Sequence, residues 1–209
     1  MDASLLEDLP ALHRLAMAYA PGSLKPQWLG FFALDARLAG VVHQAREPVL
    51  AQLRLAWWRD RLGEGAARTA KGEPLLAALA EWPDGGTLLE PLVNAWEQVL
   101  DPDNASLPQA FAAARAEAAS AFARMIGADP AQAQGLATAW SRAEIALWGL
   151  DDAARKARDE AVTSPVGRPL RPLLVMQRVT AMAARKGSAA ALASPAALFT
   201  AMRAGLLGR

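Results

Sequence analysis

The sequence predicts an all-α fold, and three observations lead to this prediction. Apolar residues recur at spacings of three and four along most of the 209 residues, as they do on the buried face of a helix. Helix-capping residues precede several of these stretches, and glycines follow them. No sustained alternation of β-branched residues indicates a strand. Several stretches are Ala-rich or apolar on more than one face, so we expect central helices buried among others in one domain over residues 1–209.

Two helix starts are marked by a pair of residues three apart. Ser4 with Glu7, and Thr87 with Glu90, have the spacing of a capping box. In this motif each of the two side chains accepts a hydrogen bond from the backbone N–H of the other residue. The pairs predict helices that begin near residues 4 and 87.

Two further starts combine a capping residue with a proline. Asp129 and Ser194 each precede a proline, which suits the first position of a helix. Glycines 63, 127, 149 and 187 lie where helices should stop. The predicted helices cover residues 4–19, 26–43, 47–62, 73–81, 87–100, 107–126, 129–148, 151–160, 169–186 and 195–204.

Composition excludes several classes of function. Lys and Arg total 22 against 21 Asp and Glu, whereas nucleic-acid binding normally shows a concentrated basic excess. The absence of cysteine excludes disulfides, zinc–thiolate sites and cysteine nucleophiles. The acidic N-terminus is unlike a signal peptide, and no run of about 18 apolar residues predicts a transmembrane span. We therefore expect a cytoplasmic bacterial protein without a nucleic-acid partner, with peripheral membrane contact left open.

The residues that carry most enzyme chemistry are sparse. The two histidines, His13 and His43, lie in different predicted helices and outside any nucleophile motif, so we expect packed or surface histidines. A divalent metal on a helix needs acids three or four residues apart on one face. The i,i+4 acidic pairs fall at helix ends and are Asp60/Glu64 and Glu97/Asp101. From its residues alone the sequence predicts no catalytic residue, no metal ligand and no cofactor.

The most informative segment covers residues 34–62, which form a helix, a break and a second helix. One side of the second helix carries the apolar stripe Leu50, Leu53 and Trp57. Arg54 lies one turn from Trp58, where its guanidinium can stack on the ring. Two adjacent tryptophans are costly to expose, so at least one of Trp57 and Trp58 belongs to the core.

The run EPVLAQLRLAWWRDRL at residues 47–62 closely resembles the squalene/phytoene synthase family, which shares its acid-Pro start, its Trp-Trp-Arg-Asp core and its closing Leu. Other pieces resemble the family in the same order along most of the chain. They are Tyr19-Ala20-Pro21, Phe111 with Arg115, GLATAW at 135–140, RPLRPLLVM at 168–176 and SPAALFTAMRAGLLGR at 194–209. The resemblance implies an isoprenoid-synthase-type helical bundle that is truncated between about 150 and 170, where family enzymes carry further cavity helices.

Active members of that family condense two prenyl diphosphates in a central cavity. They bind Mg²⁺ through two Asp-rich motifs on facing helices, and the ions neutralise the diphosphate and help it leave. In this chain the positions in register with those motifs lack carboxylates. They are Ala39, Gly40 and His43 for the first motif, and Ala146 and Gly149–Leu150 for the second.

Asp35 and Glu144 are the acids left near the two expected motifs, and neither belongs to a pair. The resemblance therefore implies a member that has lost both metal motifs. A branch of the family with the same loss contains a mitochondrial assembly factor for respiratory complex I. The stretch from Leu34 to Ala39 is similar to the corresponding helix of that branch.

Three functions stay open from the sequence. The first is a non-catalytic protein that acts in assembly of a respiratory or membrane-associated complex through protein or lipid contacts. The second is a prenyltransferase with atypical residues, which would need Mg²⁺. The third is a binding module with an apolar pocket for a lipid or isoprenoid. The candidate ligand-binding residues of the cavity are Asp35, Arg54, Trp57, Trp58, Trp140 and Glu144.

Overall fold

The computed structural model describes residues 3–64, 72–101, 104, 106–149 and 165–209 of the chain. This part of the chain contains ten α-helices and no strand, which confirms the predicted all-α fold. The helices are α1 (Ala3–Glu7), α2 (Ala11–Met17), α3 (Lys25–Gln44), α4 (Pro48–Gly63), α5 (Pro74–Ala80), α6 (Glu90–Gln98), α7 (Leu107–Met125), α8 (Pro130–Leu147), α9 (Arg171–Arg185) and α10 (Pro195–Leu207).

The first predicted helix, residues 4–19, is two helices because Pro10 interrupts it. Proline has no backbone N–H to donate, and Pro10 holds an extended ψ of 151° directly before α2. Ser4 lies inside α1, and Glu7 is the last residue of that helix. The capping box predicted for this pair is therefore wrong.

The capping box predicted for Thr87 and Glu90 is also wrong, because Glu90 is itself the first residue of α6. Asp84 satisfies the backbone at this turn instead, since its Oδ2 accepts a hydrogen bond from the N–H of Leu88 at 2.6 Å. The Thr87 hydroxyl donates to the carbonyl of Leu62 at 3.0 Å and so ties this turn to the end of α4.

The N-caps predicted at Asp129 and Ser194 are confirmed. The Asp129 carboxylate accepts from the N–H groups of Ala131 and Gln132 at 2.9 and 3.2 Å, and the Ser194 hydroxyl accepts from Ala197 at 3.3 Å. Both caps satisfy backbone donors that the first turn of a helix leaves free. The predicted helix over 151–160 lies outside the described residues.

The helices pack around one hydrophobic core to which all ten contribute. The most extensive helix pair is α7 with α8; α8 also packs against α9, and α9 against α10. Helix α3 contributes Trp28, Phe31 and Phe32, whose ring centroids lie 5.1–5.8 Å apart. Trp28 and Phe31 also meet Phe122 of α7, at 4.7 and 4.9 Å. The Trp28 indole N–H donates to the carbonyl of Pro169 at 2.9 Å and joins α3 to the start of α9.

The prediction of a single domain over 1–209 includes residues outside the described ranges and stays a prediction. Within those ranges, none of the helices combines the length and the apolar character needed to cross a membrane.

Candidate functional site

A charged cluster lies inside the bundle, where α3, α7 and α8 meet. Arg115 of α7 is fully buried, and its guanidinium contacts carboxylates from both neighbouring helices. Its Nη2 donates to Asp35 Oδ1 and Oδ2 at 3.0 and 3.2 Å, and its Nη1 donates to Glu144 Oε2. Asp35 is 2% exposed, whereas the Glu144 side chain is 22% exposed. We call Asp35, Arg115 and Glu144 the ionic triad.

Aromatic rings enclose the ionic triad. The Arg115 guanidinium carbon lies 4.0 Å from the ring centroid of Trp140, 4.5 Å from that of Phe111 and 5.4 Å from that of Trp96. These separations are within the range of cation–π attraction, which is stronger where water is excluded. The Trp96 indole N–H also donates to Asp35 Oδ1 at 3.0 Å. The rings thus exclude water from Arg115 and Asp35, and Trp96 supplies one polar contact.

Burial and ion pairing shift the pKa values of Asp35 and Arg115 in opposite directions, and the combined effect of ion pairing is the larger. Burial acts to raise the pKa of Asp35, but attraction to the Arg115 guanidinium, with smaller contributions from His13 and Trp96, holds the pKa below its ordinary value of 3.8. Burial likewise acts to lower the pKa of Arg115, but Asp35 and Glu144 together raise that pKa above its ordinary value. Both groups are therefore charged at neutral pH.

His13 of α2 borders the triad. Its Nε2 lies 3.8 Å from Asp35 Oδ2, which is longer than a hydrogen bond. Its ring packs edge-on against Phe32 and Trp140 at centroid distances of 5.3 and 6.1 Å. Neither ring nitrogen has a hydrogen-bond partner among the described residues. His13 is a packed histidine, and it adds a second polar group on the Asp35 side of the cluster.

The residues of this centre do not fit a magnesium–diphosphate site. Both oxygens of Asp35 are engaged by Arg115, and Glu144 shares the same cation. A magnesium site needs several free oxygen ligands, and a guanidinium between the two acids repels a divalent cation. In the described part of the chain, no three residues of the types His, Cys, Asp and Glu are grouped so that they could hold a metal ion.

The residues in register with the first Asp-rich motif lie near the end of α3, and they are not part of the ionic triad. His43 packs edge-on between Trp96 and Trp148, with centroid distances of 5.6 and 5.3 Å. Ala39 and Gly40 line a surface cleft, and Ala146 on α8 is buried in apolar packing. No carboxylate from these positions enters the centre of the bundle.

The surface cleft lies between α1, α3 and α4 and has a volume of about 890 Å³. Apolar side chains and the rings of Trp57 and Trp58 form part of its wall. Two cations also line it: Arg54, which is exposed, and Arg37, which pairs with Glu73 at 3.6 Å. The cleft is open to solvent and is separate in its lining from the ionic triad.

The six residues predicted to line one cavity occupy two different places. Asp35, Trp140 and Glu144 meet around Arg115 in the core. The other three, Arg54, Trp57 and Trp58, line the cleft. Among these, Trp58 is buried, as expected for at least one of the two tryptophans, and Trp57 is 40% exposed.

The predicted apolar stripe of α4 is exposed. Leu50 and Leu53 are 48% and 63% exposed, because α4 packs through its other face. That buried face consists of Ala51, Leu55, Trp58 and Leu62. The cation–π contact described on this helix joins Arg61 to Trp57 at 5.5 Å, instead of Arg54 to Trp58.

Sequence reasoning missed Arg115 as the organiser of the centre, although a signal was present. Arg115 is four residues after Phe111 and three before Ala118, so it shares their apolar face of α7. A lone arginine on a buried face requires acids from other helices, because an unpaired buried charge is prohibitively costly. Asp35 and Glu144, two of the isolated acids of the sequence, meet this requirement in the structure.

Comparison of the chain with models of protein families, with curated proteins and with solved structures gives no significant match in any of the three. The resemblance carried by EPVLAQLRLAWWRDRL therefore stays a prediction. The site rests on the geometry of this chain's own residues.

Proposed function

We propose that the chain is a non-catalytic protein with a squalene/phytoene synthase-type scaffold, acting through partner contacts in the biogenesis of a respiratory or other membrane-associated complex. The observation that carries the proposal is the ionic triad. The two acids nearest the expected metal motifs, Asp35 and Glu144, are neutralised by Arg115. In a prenyl synthase such acids would have to be free to bind magnesium.

The aromatic filling of the centre supports the same proposal. Trp96, Phe111 and Trp140 are each at most 1% exposed, and their rings surround the guanidinium. A prenyl chain that entered the centre would have to displace these rings and remove the remaining water from the charged groups. The triad serves to fix α3, α7 and α8 relative to one another, which suits a rigid surface for partners.

The catalytic part of the proposal is tested with purified protein, farnesyl or geranylgeranyl diphosphate and Mg²⁺. We expect no pyrophosphate release above the rate without protein, while an active squalene/phytoene-type synthase in the same assay releases it. Pyrophosphate release that disappears in an Asp35→Asn variant would overturn the non-catalytic assignment and support a prenyltransferase with atypical residues.

The assembly part is tested by deleting the gene in the source organism. Assembled respiratory complex should fall, with carotenoid and hopanoid levels unchanged, and the wild-type gene should restore it. As a control, a gene with the exposed acid Asp60 changed to Asn should restore the complex as the wild-type gene does. Unchanged levels of the complex in the deletion strain would contradict this role.

The open cleft favours a second candidate function, the binding of an anionic isoprenoid or lipid without chemistry. Its volume lies within the range of about 300–1,000 Å³ that is usual for ligand sites. Trp57 and Trp58 offer apolar contact, and Arg54 offers a cation for a diphosphate or carboxylate.

This candidate predicts that Arg54→Gln weakens binding of geranylgeranyl diphosphate about tenfold, the usual scale for losing one charge-assisted contact. Arg46→Gln, at an exposed arginine outside the cleft lining, should leave binding unchanged. Titration followed by tryptophan fluorescence measures both. Equal effects of the two substitutions, or no binding by the wild type, would exclude the cleft as the site.

A further inference from the structure

The C-terminal helix α10 presents large apolar side chains to solvent. These residues are between 41% and 70% exposed and comprise Leu198, Phe199, Met202, Leu206 and Leu207. At about 100° per residue, Leu198, Phe199, Met202 and Leu206 fall within about one-third of the helix circumference. We call these four residues, together with Leu207, the outer face of α10.

The outer face is held in this orientation by the opposite side of the helix. Ala197, Ala201, Ala204 and Gly205 are buried, and α10 packs mainly on α9. A Cβ at Gly205 would lie 2.1 Å from Tyr19 Cδ1, so this side accepts only small residues. Rotating the helix to bury the leucines and Phe199 would therefore create severe clashes.

The end of α10 is also anchored. The Arg171 guanidinium donates to the Gly205 carbonyl at 3.0 Å, and the N–H of Val166 donates to the carbonyl of Gly208 at 2.8 Å. Gly208 closes the helix with φ of 72°, a left-handed conformation that suits glycine. The exposure of the outer face is therefore a feature of the packed helix and does not result from a frayed end.

Charge is distributed very unevenly between this region and the rest of the chain. Residues 165–209 contain seven Lys and Arg and no acid, whereas residues 1–164 contain fifteen Lys and Arg and twenty-one acids. Arg168, Lys186, Arg203 and Arg209 are exposed. Arg203 follows Met202 directly and borders the outer face. An apolar helix face next to cations, with no acid in the segment, is the pattern of a helix that lies in the surface of an anionic bilayer.

We infer that the outer face of α10 docks on an anionic lipid surface. The helix has 13 residues, fewer than the roughly 20 that span a bilayer, so it lies in the interface with its apolar side chains among the acyl chains. Arg203, which borders this face, meets the lipid phosphates. A second copy of the chain is disfavoured as the occupant because it would bring two positively charged segments together.

The exposed stripe of α4 lacks this charge pattern. Leu50, Leu53 and Trp57 are bordered by exposed residues of both signs, among them Glu47 and Asp60. The inference therefore concerns α10 alone, and α4 provides the matched control. It also goes beyond the proposed function, since vesicle binding requires neither a prenyl substrate nor an assembly partner.

The test is co-sedimentation of the purified full-length protein with vesicles of phosphatidylcholine, with or without phosphatidylglycerol. We expect at least about tenfold stronger partitioning to the phosphatidylglycerol vesicles, weakened by high salt, because Arg203 borders the docking face and residues 165–209 carry a net positive charge. The double variant Phe199→Glu/Leu206→Glu should reduce partitioning at least about tenfold, because the two introduced carboxylates would have to leave water when the helix binds the vesicle. Leu50→Glu with Leu53→Glu should change it by less than about twofold, because these residues lie outside the docking face.

Circular dichroism and thermal unfolding of both double variants establish that they fold. Equal partitioning to both vesicle types, absent partitioning, or equal losses in both double variants overturns the inference. So does sedimentation equilibrium that shows a wild-type dimer and a monomeric Phe199→Glu/Leu206→Glu variant, because the outer face would then join two copies. None of these results decides the pyrophosphate-release or gene-deletion experiments, which test the proposed function separately.

Discussion

The ionic triad and the outer face of α10 depart from the usual distribution of side chains in opposite directions. The first buries Asp35 and Arg115 and half-buries Glu144, and the second exposes Phe199 and four other large apolar residues. The triad is compensated within the chain, because each charge meets an opposite one. The outer face has no such compensation among the described residues, and we propose that a lipid surface outside the protein covers it. The comparison separates residues that hold the fold from residues available for contact.

The largest effect should follow removal of the cation of the triad. Arg115→Met keeps an apolar side chain in place but leaves Asp35 buried without its partner, and we expect a loss of about 3–5 kcal/mol in the free energy of unfolding. Arg124→Met, at an exposed arginine of the same helix, should change it by less than about 0.5 kcal/mol. Urea unfolding measures the free energy of unfolding of both variants. Similar losses in the two would show that the buried Arg115 contributes no more to stability than the exposed Arg124.

The next effect concerns the hydrogen bond from Trp96 to Asp35. Trp96→Phe retains an aromatic ring and removes the indole N–H, so the charged carboxylate loses a donor at a cost of about 2 kcal/mol. Trp28→Phe makes the same chemical change but removes a bond to the neutral carbonyl of Pro169, with an expected cost of about 1 kcal/mol. A larger loss for Trp28→Phe would show that ring packing, not the charge of Asp35, determines both values.

Acid should weaken the triad with a defined sign. Because the folded pKa of Asp35 lies below its ordinary value of 3.8, the unfolded chain binds its proton first as the pH falls. The stabilisation from Asp35 is therefore complete above that value and is lost as the pH drops through the folded pKa. The unfolding free energy, measured from about pH 6 to about pH 3, should depend less steeply on pH in Asp35→Asn than in the wild type. Identical slopes in the wild type and Asp35→Asn would show that Asp35 titrates alike in the folded and unfolded chain.

The smallest effect on stability is expected on the outer face of α10. Phe199→Ala should change the unfolding free energy by less than about 0.5 kcal/mol, because Phe199 is 70% exposed. Phe122→Ala in the core, at 1% exposure, should cost about 3–5 kcal/mol. Thermal unfolding compares the two, and a large cost at Phe199 would mean that its ring packs against the protein in solution.

The sequence predicted the helices well where the signals are local. The Asp129 and Ser194 caps and the length of α3 follow from side-chain chemistry within a few residues. The split at Pro10 was equally local and was overlooked. Which face of α4 is buried is set by α3 and α6, so periodicity alone selected the exposed stripe of Leu50 and Leu53.

The candidate site could be predicted only in part for the same reason. Asp35 and Glu144 were singled out as isolated acids, but their common partner Arg115 is 80 and 29 residues away in sequence. No local pattern joins such positions. The lone arginine on the apolar face of α7 indicated that a partner was needed, and the tertiary packing of α3 and α8 determines which acids supply it.

The central claim is that Asp35 is held by Arg115 and is not free to bind magnesium. A double-mutant cycle of Asp35→Asn and Arg115→Met, measured by urea unfolding, tests it most directly. We predict a coupling of about 2 kcal/mol or more, with the double variant more stable than the sum of the single losses implies. Losses that add within about 0.5 kcal/mol would contradict the claim, because the two side chains would then contribute independently.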